Sequence, residues 1–109
     1  MNLIEIEQQR LERRERLRNQ VRLDVRTALD KFLPGEDVIL FGSIISPYHF
    51  HDRSDVDIAL YHAPVGRSIY GLVAQLDEYL GRAVDLVVLD ETRLKEKILT
   101  TGEVWTRSV

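Results

Sequence analysis

The sequence predicts an α/β (α+β) fold: a small mixed sheet of about four strands, packed with helices and led by a long N-terminal helix. Three observations predict it. Residues 2–33 repeat their apolar side chains every three or four positions with no Gly or Pro. Short continuous apolar runs follow at 38–41, 56–62 and 83–89, each closed by turn residues. Between and after these runs, apolar residues return to helical spacing, and strands alternating with helices make a layered sheet-and-helix domain.

The first element runs from 2 to 33, with Leu11, Leu17, Val21, Val25, Leu29 and Phe32 forming one stripe and Pro34-Gly35 stopping it. Its other positions are densely charged. Arg18, Arg22 and Arg26 form a basic ridge at spacing four, which reads either as a solvated face with i,i+4 pairing or as a docking surface for an acidic partner. Val38-Ile39-Leu40-Phe41 reads as a buried strand ending at Gly42-Ser43. A long irregular turn leads to a second strand, Val56 to His62. Ser68 to Leu80 is helical, with Gly81 as its C-cap. Ala83 to Leu89 is a third strand, Thr92 to Thr100 a short helix, and Glu103 to Thr106 a fourth strand.

Composition narrows what such a domain does. At 109 residues the chain is one small domain, 1–109, with little room for separate sites for two large substrates. An enzyme of this size is expected to borrow surface from a partner. There are no cysteines, which removes disulfide frameworks and thiolate metal sites. No signal peptide and no apolar run near 18 residues stand out, so a cytoplasmic protein without a membrane partner is expected. The net charge of −3 argues against nucleic acid as a direct ligand. That charge is uneven: eight basic against six acidic residues over 1–33, then seven against twelve over 34–109. The acidic excess suits metal binding better than bulk attraction of phosphate.

The chemistry concentrates in a few residues. Asp55 and Asp57, at i and i+2 in a strand, point their carboxylates the same way. Asp is depleted from strands, and two on one face repel unless a cation lies between them, for which Mg²⁺ is the economical choice; the plainer reading is two solvated acids at a strand entry. Asp85 is the lone charge inside an apolar strand, which calls for a metal, a buried partner or a raised pKa, or else for escape to solvent or to Arg82. If the third strand lies beside the second, the three aspartates form one cluster suited to two-metal phosphoryl or nucleotidyl transfer. Gly42 lets a phosphate approach the backbone and Ser43 adds a hydroxyl, although Gly-Ser also marks ordinary turns. His49 and His51 read as solvated or capping residues. Tyr48 and Phe50 are equally suited to stacking on a base and to packing over the sheet.

Phe41-Gly42-Ser43, Ser54-Asp55-Val56-Asp57-Ile58-Ala59-Leu60 and Val84-Asp85-Leu86-Val87 together resemble the nucleotidyltransferase superfamily. The resemblance covers about residues 36–107 and is strongest to the minimal nucleotidyltransferase (MNT, MntA-like) antitoxins paired with HEPN toxins. It implies a DNA polymerase β palm-like catalytic core at 36–107, ATP as substrate, and Mg²⁺ (two ions) held by Asp55, Asp57 and Asp85. Asp85 would also help deprotonate the attacking hydroxyl. Gly42, Ser43, Arg53 and Ser54 would hold the nucleotide. The implied acceptor is a tyrosine hydroxyl on a HEPN-family RNase toxin in a hetero-oligomer, silenced by AMP. Two other readings compete: an antitoxin that neutralises by docking alone, and a small nucleotidyltransferase acting on RNA ends or a small molecule. The segment 44–54 departs from the family pattern in length and in lacking cations other than Arg53, and Pro47 forbids a long helix from Ser43.

Overall fold

A computed structural model describes residues 1–107. Helix α1 spans Leu3–Phe32 and opens on Asn2, whose side-chain oxygen accepts from the Glu5 amide at 2.8 Å. At roughly 1.5 Å per residue it is long relative to the body, and the molecule measures 55 × 29 × 26 Å. The expected stripe is buried only from Val21 onward, through Val25, Ala28 and Leu29. Leu11 and Leu17 are half-buried, and the preceding turns stand clear of the core.

Strands β1 (Val38–Phe41), β2 (Val56–Leu60), β3 (Val84–Val88) and β4 (Glu103–Trp105) form one sheet in the order β3-β2-β1-β4. β1 runs antiparallel to both β2 and β4, while β2 and β3 are parallel. Parallel neighbours need a crossover. Helix α2 (Ile69–Leu80) supplies it, capped by Ser68 and released at Gly81 in the left-handed region, φ 67°. Helix α3 (Lys95–Thr101) starts three residues later than periodicity predicts, because Leu89–Glu91 first make a 3₁₀ turn. β2 stops at Leu60 rather than His62, short of the bend before Pro64.

The pleat gives the sheet two unequal faces. Val38, Leu40, Val56, Ile58, Leu60, Val84 and Leu86 pack under α1 and α2 with Phe50, and this is the main core. On the other face Ile39, Phe41 and Ala59 meet Leu89 and Ile98 from the α3 side in a smaller cluster. Asp57 and Asp85 share that thinner face through the strict period of two. Among the described residues no helix is long and apolar enough to cross a membrane.

Of the ridge Arg18-Arg22-Arg26, the first two are half-buried and bonded within the molecule, while Arg26 stays exposed. Arg18 and Arg22 donate to the Ile44 carbonyl oxygen at 3.1 and 3.4 Å. Arg22 also pairs with Glu103 at 2.7 Å, and the Arg22 and Arg26 guanidiniums stack on Trp105 at 5.4 and 4.9 Å from its centroid. Burial pushes the Glu103 carboxyl up, but hydrogen bonds from Trp105 and Arg22 outweigh it and hold the pKa below the ordinary value. These arginines tie α1 to β4 and to the loop after β1.

Gly102 turns the chain from α3 into β4. A Cβ there would overlap Ile39 Cγ2 and the Ile98 carbonyl oxygen. Gly102→Ala is therefore expected to destabilise the fold by about 1–3 kcal/mol, the usual range for overpacking, with urea denaturation as the readout.

Candidate active site

Register builds the site. Asp57 is the second residue of β2, opposite Phe41 on β1 and opposite Asp85 on β3. Asp55 lies two residues earlier, before the strand begins. Asp57 is half-buried, whereas Asp55 and Asp85 are exposed. Burial first, then the charges of Asp85 and Asp55, raise the Asp57 carboxyl from the usual 3.8 to about 6. Asp57 is thus close enough to both of the other aspartates to be repelled by them. Asp85 is open to solvent, one of the outcomes the sequence leaves for it.

Gly42 completes the pocket wall. Its φ is 76°, and a Cβ on it would overlap Asp57 Oδ2. Only glycine meets both demands, so β1 can end against the carboxylate of β2. Gly42–Ile45 then form a single 3₁₀ turn, held by Ser46 Oγ donating to the Gly42 carbonyl at 3.0 Å and by the Ser46 amide donating to the Ser43 carbonyl at 3.0 Å. The turn ends before Pro47, as the sequence predicts. Its outer side is pinned to α1: besides the arginine bonds to Ile44, Glu15 accepts from the Tyr48 amide at 2.8 Å.

A cavity of about 220 Å³ opens beside the carboxylate, lined by Phe41, Gly42, Asp57, Leu94, Lys97, Ile98 and Thr101. Lys97 and Thr101 were missed by sequence reasoning. The signal was available, since Leu94, Lys97, Ile98 and Thr101 share one helical face at spacings of three and four. Lys97 forms no ion pair among the described residues, and it lines the cavity together with Asp57. A larger hollow of about 730 Å³ lies between α2, β3 and the loop to α3, away from the aspartate cluster, and its lining is mostly apolar.

The loop before Asp55 is knotted by short hydrogen bonds. Ser54 is buried; its hydroxyl accepts from the His51 amide at 2.9 Å and its carbonyl accepts from Arg82 at 2.9 Å. Arg82 also stacks on Phe50, 4.7 Å from the ring centre, so its charge goes to the loop and not to Asp85. Phe50 is fully buried and packs rather than stacking on a base, whereas Tyr48 stays half-exposed. Arg53 is exposed, with its amide on His51 Nδ1 at 3.1 Å. Of the nucleotide-binding candidates, Gly42 lines the pocket, Ser43 follows it in the 3₁₀ turn, and Arg53 and Ser54 lie in the loop before Asp55, the first exposed and the second buried.

Whether the residues fit a metal is a question of donor chemistry. Among the described residues no three His, Cys, Asp or Glu side chains converge into a ready-made cage. What exists instead is a hard-oxygen pair across two strands, Asp57 and Asp85, with Asp55 behind it and one carboxyl already strained toward neutrality. That suits Mg²⁺, which takes one or two carboxylates and completes its shell with water and phosphate oxygens.

The raised Asp57 pKa has a stability consequence. A carboxyl that binds its proton more tightly folded than unfolded stabilises the fold below the unfolded pKa, and that contribution is lost as pH rises through the folded one. For Asp57 the window is 3.8 to about 6. Without metal, Asp57→Asn should raise the melting temperature at pH 7, and the gain should vanish toward pH 4.

Compared with protein families, residues 25–107 match Polymerase beta, Nucleotidyltransferase. The match reaches further into α1 than the sequence resemblance did. Among solved structures the chain is similar to one described as the crystal structure of the toxin-antitoxin with AMP-PNP. Identity is 31%, the alignment covers 75% of this chain and 70% of that one, and the TM-score is 0.58. No curated protein matches the chain. Because the matched segment carries every strand of the sheet and the whole aspartate cluster, the chain belongs to the polymerase β nucleotidyltransferase family.

Proposed function

We propose that this protein transfers AMP from ATP to a tyrosine hydroxyl of a partner HEPN-family RNase toxin and so silences it, using Mg²⁺. The observation that carries the reading is the placement of Asp57 between the Gly42 turn and Asp85, beside a small cavity with an unpaired lysine. Family membership supports nucleotidyl transfer. The relative described with AMP-PNP is a toxin-antitoxin, which supports both a triphosphate ligand and a toxin partner.

In this reading Asp55, Asp57 and Asp85 hold the cation. When bound, Mg²⁺ neutralises triphosphate oxygens and orients them for in-line displacement. Gly42 offers a backbone surface with no Cβ, and Ser43 a hydroxyl, to the β- and γ-phosphates. The acceptor oxygen attacks the α-phosphorus, the bond from that phosphorus to the bridging oxygen breaks, and pyrophosphate leaves. Asp85, the more exposed carboxylate, takes the acceptor's proton. Lys97 offsets the charge gathering on the leaving pyrophosphate. Arg53, at the approach, meets the outer phosphates, while Ser54 holds the loop that presents it.

One observation favours a second reading, neutralisation by docking alone. The turn after β1 is four residues long, too short to aim a run of helix amides at a triphosphate. The deciding experiment incubates the protein with α-labelled ATP, Mg²⁺ and the product of the neighbouring gene. Label should appear on that product, fall at least about 100-fold with Asp57→Asn and fall about tenfold or more with Lys97→Met. Tight complex formation with no label overturns the transfer reading in favour of docking. Label on RNA and none on protein favours an RNA-end enzyme.

A further inference from the structure

The first half of α1 lies outside the family match and touches the catalytic fold chiefly through Arg14 and Glu15, which reach Tyr48 in the loop after β1. The family match begins at residue 25 and the helix buries nothing fully before Val21. Yet this half is not bland. Leu3, Ile4 and Ile6 are 83%, 70% and 47% exposed in the first turn, an aliphatic tip that water does not favour. Below the tip, between α1 and the loop before Asp55, lies a groove of about 460 Å³ lined by Arg10, Arg13, Arg14, Leu17, His51 and Asp52.

The arginines of the groove are weakly committed. Among the described residues Arg13 has no ion pair and Arg14 reaches only the Tyr48 carbonyl at 3.5 Å, while Arg10 holds Glu7 in an exposed pair at 2.6 Å. Exposed pairs of this kind contribute little and are readily exchanged. The contrast is with Arg18 and Arg22, which are half-buried and bonded within the molecule, whereas Arg26 stays exposed over Trp105. The free positive charge of α1 therefore sits one to two turns before the ridge that sequence periodicity singles out.

We infer that the first half of α1, with the arginine groove beneath it, is the docking arm for an acidic surface with aliphatic ridges on the partner toxin. This rests on the toxin-partner reading above and names the chemistry of the contact. Charge complementarity selects the acidic side, and Leu3, Ile4 and Ile6 supply the apolar anchor that a protein contact needs. A nucleic acid is disfavoured, since Glu5, Glu7, Glu12 and Asp52 interrupt the basic surface and Phe50 is buried out of stacking reach. The groove's far wall, His51 and Asp52, precedes Asp55 by a few residues, so a partner seated there lies at the acidic end of the sheet.

The test co-expresses the neighbouring toxin with the wild-type chain, with Arg10→Glu/Arg13→Glu/Arg14→Glu, and with Leu3→Ser/Ile4→Ser. Toxin affinity, AMP-PNP affinity, circular dichroism, mass in solution and binding of an RNA oligonucleotide are measured for each. Expected are losses of toxin affinity of about 30-fold for the charge reversal and about tenfold for the aliphatic pair. AMP-PNP binding and helicity should be unchanged. The wild-type affinity should also fall with added salt, and the reversal variant should lose that dependence. Toxin binding within about twofold of wild type in both variants overturns the arm while leaving the toxin-partner reading intact. No complex even with the wild-type chain overturns both. An arm-dependent dimer of this chain, or arm-dependent RNA binding with toxin binding unaffected, overturns the arm's assignment to the toxin.

Discussion

The acidic end of this molecule depends on one close approach, the Gly42 backbone against the Asp57 carboxylate. Antiparallel pairing of β1 with β2 brings Phe41 opposite Asp57, and the next residue must turn away without a side chain. Parallel pairing of β2 with β3 brings Asp85 to the other flank. Two registers therefore place a half-buried carboxylate between a bare backbone and a second carboxylate. The fold tolerates the repulsion by keeping the Asp57 proton to about pH 6 and by leaving Asp55 and Asp85 in water.

The remaining structure holds that arrangement steady. α1 does this from a distance: Arg18 and Arg22 grip the Ile44 carbonyl, and Glu15 grips the Tyr48 amide, so the turn that carries Gly42 cannot drift. Arg18 in turn holds the Glu15 carboxyl below its ordinary value through their hydrogen bond. Arg82 and Ser54 fix the loop on the other side, ahead of Asp55. α3 closes the thinner face of the sheet with Ile98 and sets Lys97 over the pocket. A small domain thus spends a large share of its charged side chains on positioning two loops.

The elements were legible in the sequence because periodicity and turn residues agree at each one. Ser68 and Gly81 mark both ends of α2, and Pro34-Gly35 marks the end of α1. The pairing of Asp57 with Asp85 was legible because each stands in an apolar strand and needed only parallel neighbours, whereas Asp55 precedes β2 and is not placed by its pleat. What sequence reasoning missed is tertiary. The basic ridge looked free because nothing local shows that Trp105, Glu103 and Ile44 lie over it. Lys97 does not stand out in the sequence because its place beside Asp57 depends on where α3 crosses the sheet. The sequence leaves Asp85 between a partner within its apolar strand and escape to solvent, and the place of β3 at the sheet's edge, on the thin face, decides for water.

The central claim is that Asp57 is electrostatically unsatisfied until a divalent cation joins it. Carbon-13 NMR of the aspartate carboxyl carbons, titrated with pH, reads this directly. The account predicts one carboxyl with a midpoint near 6 in the metal-free protein. It also predicts that Mg²⁺ with AMP-PNP moves this midpoint down, and that the signal is absent from Asp57→Asn. An Asp57 midpoint in the ordinary carboxylate range, unmoved by Mg²⁺ and nucleotide, would contradict it.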